Sequence, residues 1–229
     1  MVLNVLFAAR RFPVESVLVL ENRLSGLEDT LRHAPPAMHV YVASQAVMDK
    51  IAGFHMHRGI LAVGSKRPDD TPSGLVAALP RQAVVVVLVG LTNHDNVGAI
   101  FRNATAFGAD AVLLDQTCCD PLYRKAIRVS VGAALKMPFA VASDTTSLVR
   151  ILDDAGFKQF ALSPAGSTDL RDANRPERVA LYFGTEGEGL PDELMSRMAT
   201  VRIGMAPGFD SLNVASASAV VLHNFQQKG

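Results

Sequence analysis

Three short stretches of this chain gather polar and glycine residues at spacings that could hold a ligand and act on it. In "NHDNVGAIFRNATAFGAD" (93–110), Asn93, His94, Asp95 and Asn96 precede an apolar stripe, and Arg102 follows two turns in. Val97, Ile100, Phe101, Ala104 and Phe107 recur at helical spacing, which predicts a helix over 97–107 with these residues on its core face and Arg102 off it. Asn96 is placed to cap that helix through its amide oxygen and Gly108 to end it. The second stretch, "LYFGTEGEGLPDEL" (181–194), carries Gly184, Glu186, Gly187, Glu188 and Gly189, with Pro191 early in the next helix. Glycines there permit positive φ and close backbone approach. Two carboxylates would repel a phosphate, so a neutral or cationic ligand suits the loop better, and a plain strand-to-helix turn accounts for it equally well. The third stretch, "VRIGMAPGFDSLNVASASAVVLHNF" (201–225), reads as a strand ending near Ile203, a loop over 204–210, and a helix of small residues capped by Asp210 or Ser211. Alone, it is an ordinary capped C-terminal helix.

Presenting three such loops together calls for a parallel sheet. "AVVVVLVG" (83–90) is the continuous β-branched run of a strand buried on both faces. Further strands are predicted at 111–115, 138–142, 158–163, 179–184 and 200–203. They alternate with helices at 97–107, 122–135, 146–155, 191–198 and 212–226, the pattern of a doubly wound α/β fold. All three polar stretches then follow strands, and the carboxyl ends of strands are where open α/β sheets bind ligands. Upstream, "VESVLVL", "MHVYVAS" and "RGILAVG" read as strands with helical stretches around 22–33 and 44–53, a small α/β unit over 1–66. Between the two lies "RPDDTPSGLVAALPRQ" (67–82), a proline-rich linker with one short helical turn.

The 229 residues are 49% hydrophobic and 19% charged, a globular composition. No apolar run is long enough to span a bilayer, and the start lacks a signal peptide's pattern. Cys118 and Cys119 are adjacent, which suits neither a disulfide nor metal-ligand spacing and predicts a reduced, cytoplasmic protein. With 22 basic and 22 acidic residues the net charge is zero, which argues against a broad nucleic-acid surface and leaves any such contact to local patches. Arg124, Lys125 and Arg128 on one helical face, and Arg10 and Arg11 near the start, are either solvated charges or contacts to an RNA backbone. His55 and His57 have no third ligand nearby and read as a polar strand edge. Ser211, His223 and Asp210 lack the nucleophile elbow of a hydrolase. "VGLTNHDNVGAI" lacks a dinucleotide fingerprint, although Asp115 ends a strand as a ribose-binding acid would.

Taken together, "NVGAIFRNATAFG", "LYFGTEGEGL" and "IGMAPGFDSLNVASA", in this order and spacing, resemble the three motifs of the SpoU (TrmH) family of RNA ribose 2′-O-methyltransferases, in the SPOUT superfamily. "RKAIRVSVGAALKMPF" is similar to a further family segment. The resemblance covers 83–226. Residues 1–66 resemble, less specifically, the family's small N-terminal substrate-binding domain; they begin late against that pattern, implying an N-terminal piece absent from this chain. His94-Asp95 stands where many members have Pro-Gly, on the substrate side. Ile203-Gly204-Met205, then Pro207 and Gly208, stands where many have Ile-Pro-Met and a glycine two residues on, in the cofactor loop.

The resemblance implies a parallel-sheet SPOUT domain over 83–229 with a C-terminal trefoil knot, which the rule against threaded loops would have rejected. It implies S-adenosylmethionine as cofactor, tRNA or rRNA as substrate, and a homodimer, whose close packing the small-residue C-terminal helix would suit. The donor methyl arrives already activated, so no metal is expected. Arg102 is implied as the catalytic residue, either as general base or by holding a phosphate and stabilising the developing alkoxide; the second is easier for a side chain that stays protonated. Asn96 would position substrate or arginine, and Glu186 would orient Arg102 or the ribose. Ser211 and Asn213 match polar positions of the third motif, while Gly184, Ile203, Met205 and Leu212 would wrap the cofactor. Two other classes are a non-catalytic RNA-binding relative that keeps the pocket and a nicotinamide-dependent oxidoreductase; methyl transfer to bulk RNA separates all three.

Overall fold

The computed structural model describes residues 2–66, 70–209 and 211–226, and the chain divides into two units, residues 1–68 and 69–229. In the first, α1 (Val2–Ala9), β1 (Val14–Leu20), α2 (Glu28–Leu31), β2 (His39–Ala43), α3 (Gln45–Ala52) and β3 (Ile60–Gly64) form a three-stranded sheet of order β2-β1-β3 with helices around it. β2 runs parallel to β1 and β3 antiparallel. Period-2 alternation puts Val17 and Val19, fully buried, on one face of β1. Leu20 packs with Met48 and Met56 in a separate cluster. The helical stretch expected around 22–33 is two 3₁₀ turns and the one-turn α2. Helix α1 was not expected. Its residues are mostly apolar, so no polar face marks the helical period, yet Leu3, Leu6 and Phe7 are buried.

The second unit runs α4 (Pro72–Ala77), β4 (Ala83–Leu88), α5 (His94–Ala106), β5 (Ala111–Asp115), α6 (Arg124–Val129), α7 (Ala133–Lys136), β6 (Phe139–Ala142), α8 (Thr145–Asp154), β7 (Lys158–Leu162), β8 (Thr168–Asp169), β9 (Arg178–Phe183), α9 (Asp192–Met195), β10 (Ala199–Arg202) and α10 (Val214–Phe225). Its seven strands, in the order β6-β5-β4-β9-β7-β10-β8, are all parallel. Every residue of β4 is buried, because helices cover both faces. On one side Val85 and Val87 meet Leu148 and Leu152 of α8 and Leu194 of α9. α5 buries Val97, Ile100, Phe101 and Ala104. Phe101 meets Phe139 edge-on at 5.7 Å, and Phe225 of α10 lies 5.5 Å from Phe160.

Two expectations are corrected here. The linker is not a linker beyond residue 70. Thr71 caps α4 by accepting from the Gly74 N–H at 3.1 Å, Pro72 sits in the first turn, and Val76 is buried with Leu75 and Leu79 packed against the same core. The short helical turn expected within 67–82 is α4, and what the proline and polar residues hid was its packing on the second unit's core; residues 67–69 lie outside the described residues. The single helix expected over 122–135 is two, α6 and α7. Val131 at φ 55° and Gly132 at φ 89° turn left-handed between them, which no helix continues through.

Candidate active site

Because β4, β9 and β10 are parallel, the loops that follow them leave from one edge of the sheet. After β4, the buried carboxylate of Asp115 accepts from the Gly90 N–H at 3.1 Å, the Thr117 hydroxyl at 2.8 Å and the Cys118 N–H at 3.0 Å. This pins the start of the loop to the end of β5. The helix then begins a turn earlier than expected. Asn93, not Asn96, is its cap and accepts from the Asp95 N–H at 2.9 Å. Asn96 is instead a buried residue of the first turn, 5% exposed.

After β9, Thr185 and Gly189 exchange backbone hydrogen bonds at 3.2 Å and close the second loop on itself. Gly187 and Gly189 take positive φ. A Cβ on Gly184 would stand 2.3 Å from the Gly189 carbonyl carbon and 2.5 Å from the Leu190 nitrogen. Both are backbone atoms with nowhere to go. Gly184→Ala is therefore expected to force the loop open, lowering stability by about 1–3 kcal/mol; denaturant unfolding reads the effect.

After β10, the chain turns at Pro207 and Gly208, where the Phe209 N–H donates to the Ala206 carbonyl at 3.1 Å. Asn213 then caps α10 through its Oδ1, accepting from Ala215 N at 3.0 Å and Ser216 N at 3.2 Å. The cap is Asn213 rather than Ser211, and Asp210 lies outside the described residues. The Asn213 amide nitrogen donates to Asn96 Oδ1 at 3.0 Å and to Glu186 Oε1 at 2.5 Å. One side chain thus ties all three loops together. It uses both Nδ2 protons and its carbonyl, which fixes the amide orientation.

Of the residues singled out from sequence, Asn96, Glu186 and Asn213 are brought into direct contact. Arg102 lies on α5, exposed and off the buried stripe, and it bonds to none of those three among the described residues. Ser211, two residues before Asn213, is exposed. Gly184 is buried, Ile203 and Met205 are half-buried, and Leu212 is 42% exposed next to Phe209 at 71%. Glu186 and Glu188 are exposed on the loop after β9. Arg124, Lys125 and Arg128 are exposed on α6, where Lys125 pairs with Asp95 at 2.7 Å. In the first unit Arg10 is exposed and the Arg11 guanidinium lies 5.5 Å over the Phe12 ring.

Asn103 and Asp115 were missed as positioning groups. Asn103 lies seven residues beyond Asn96, hence on the same helix face, and donates to the Ala215 carbonyl at 2.7 Å and Ser218 Oγ at 3.0 Å. That periodicity was the available signal. It also explains the small residues of α10: Ala215 and Ser218 let α10 approach α5. Cys118 is inert, its thiol pushed up to about 12 by burial, with the Asp115 carboxylate adding to the effect. His55 pairs with Asp49 at 2.7 Å, and among the described residues no cluster of His, Cys, Asp and Glu could hold a metal.

Residues 83–223 match the model of the SpoU rRNA methylase family. A protein of Mycobacterium tuberculosis named as an uncharacterized tRNA/rRNA methyltransferase is 38% identical over 226 residues, covering 96% of this chain and 77% of its own. Among solved structures, the AdoMet-bound rRNA methyltransferase of Sinorhizobium meliloti shares the fold at a TM-score of 0.81 and 24% identity, over 98% of this chain and 84% of that one. A structure described as an RNA 2′-O ribose methyltransferase superposes at a TM-score of 0.76 with 26% identity, over 98% and 85%. No helix among the described residues is long and apolar enough to cross a membrane. The three loops lie inside the matched segment, and the chain belongs to the SpoU rRNA methylase family.

Proposed function

We propose that this protein transfers a methyl group from S-adenosylmethionine to a ribose 2′-hydroxyl of structured tRNA or rRNA. The observation that carries the reading is the Asn213 amide, which joins Asn96 of the first loop to Glu186 of the second while capping the third. Such a constellation is built from separate parts of the chain for one site. The residues fit the cofactor chemically: the loops after β9 and β10 offer an apolar rim (Ile203, Met205, Leu212) for a base and carboxylates compatible with a cationic donor. When bound, S-adenosylmethionine supplies a methyl already activated on a sulfonium. Gly184, Ile203, Met205 and Leu212 would hold it, and Ser211 and Asn213 would line its substrate side. The strand order, with β9 between β4 and β7 and α10 returning to α5, suits the trefoil knot of the SPOUT fold.

The 2′-oxygen forms its bond to the methyl as the methyl–sulfur bond breaks, and the hydroxyl proton passes to solvent water, which reaches the exposed Glu186 and Ser211. Arg102, a guanidinium that stays protonated, stabilises the developing alkoxide and holds the adjacent phosphate. Glu186 orients the ribose, and Asn96 fixes the first turn of the helix from which Arg102 projects. Residues 1–66 and the basic face of α6 select the RNA; two copies pairing in the cytoplasm would join such patches into one surface despite zero net charge. The test is transfer from labelled S-adenosylmethionine to bulk RNA in the presence of chelator. Incorporation into RNA, falling with salt and absent with DNA, is expected. A protein that binds neither S-adenosylmethionine nor its demethylated product overturns the reading.

A further inference from the structure

His94 and Asp95 open α5, and they contact Tyr123, the N-cap of α6, and Lys125 within it. The His94 ring lies 4.3 Å from the Tyr123 ring, tilted by 43°, and Asp95 pairs with Lys125 at 2.7 Å. Behind them, Gly98 lets α5 approach so closely that a Cβ there would stand 2.7 Å from the Ala126 carbonyl oxygen. Tyr123 is thereby held against His94, two residues ahead of Asn96 in the first turn of α5, yet 53% exposed. A braced aromatic ring, half exposed beside a polar site, offers a planar face on which a base can stack. The exposed Arg124 and Arg128 follow on the same short helix, so the neighbourhood favours a polyanion.

We infer that Tyr123, braced by His94, stacks on an unpaired base next to the methylated ribose, with Arg124 and Arg128 on the flanking phosphates. The inference rests on the RNA reading above and deepens it. It makes the recognised element single-stranded at the methylated position, because a base within a helix cannot offer its face to a side chain. Every base has such a face, so the contact sets the conformation of the RNA rather than its sequence.

The chain contains no tryptophan, so Tyr123→Trp in the full-length protein supplies a sole indole at the proposed contact. Titration with a mixed-sequence single-stranded oligoribonucleotide is expected to quench its emission saturably, over the range in which a labelled copy of the oligonucleotide shows binding by anisotropy. The same RNA as a duplex is expected to leave the emission unchanged. Tyr123→Ala is expected to weaken single-strand binding roughly tenfold and to raise the RNA KM more than it lowers kcat, with S-adenosylmethionine affinity intact; Tyr123→Phe is expected to retain binding. Anisotropy without quenching, or wild-type binding by Tyr123→Ala, overturns the inference while leaving methyl transfer standing. Failure of any RNA to bind overturns both.

Discussion

Arg102→Ala is expected to reduce methyl transfer by on the order of 10³-fold, the loss that follows removal of a preorganised donor facing developing charge, while leaving S-adenosylmethionine affinity within about twofold. The separation follows from placement. Arg102 projects from α5, whereas the residues assigned to the cofactor lie after β9 and β10. It is exposed and lies off the helix's buried stripe, so the fold does not need it. Arg102→Lys is the informative companion. Lysine keeps a positive charge but loses the planar fork, and partial recovery of rate is the outcome for a residue acting by charge. Single-turnover rates with calorimetry on the same preparations make the check; near wild-type turnover by Arg102→Ala would remove the residue from the mechanism.

Asn213→Ser is expected to lower transfer by about 10²-fold, the scale on which small misplacements of reacting groups are felt. Serine caps a helix nearly as well as asparagine, so α10 should hold. A hydroxyl has one proton and cannot replace two amide protons donated at once to Asn96 and Glu186. The buried Asn96 oxygen then loses its donor, at a cost of about 1–3 kcal/mol. Asn213→Ala adds the loss of the cap, about 1 kcal/mol more. A pair of variants similar in stability to within that increment, and equally poor in transfer, separates the bridging role from the capping one; full activity in Asn213→Ser would refute the bridge.

Much of the sheet could be read before the structure, because a run such as 83–88 has no other plausible place than a strand buried on both faces. The helix after it was legible in its interior and misread at its start. Apolar periodicity begins at Val97, but the first turn belongs to polar residues that the fold buries or bonds: Asn96 to Asn213, Asp95 to Lys125. A hydrophobic pattern cannot mark a buried amide whose partner lies 117 residues away. The break at Val131 was equally silent, since a β-branched residue in left-handed conformation is held there by its surroundings and not by its own preference. Local spacing showed three loops with polar residues; only their resemblance to a family joined them and gave Arg102 its importance. The contact among Asn96, Glu186 and Asn213 arises from parallel strand order, which no local window contains.

The most direct measurement is the position of the transferred methyl. Bulk tRNA and rRNA labelled by the protein are digested to nucleosides and resolved by mass spectrometry. A 2′-O-methylated nucleoside is the predicted product, because the 2′-hydroxyl is both the nucleophile and the group that tells RNA from DNA. Label recovered on a base would contradict the proposed transfer to ribose.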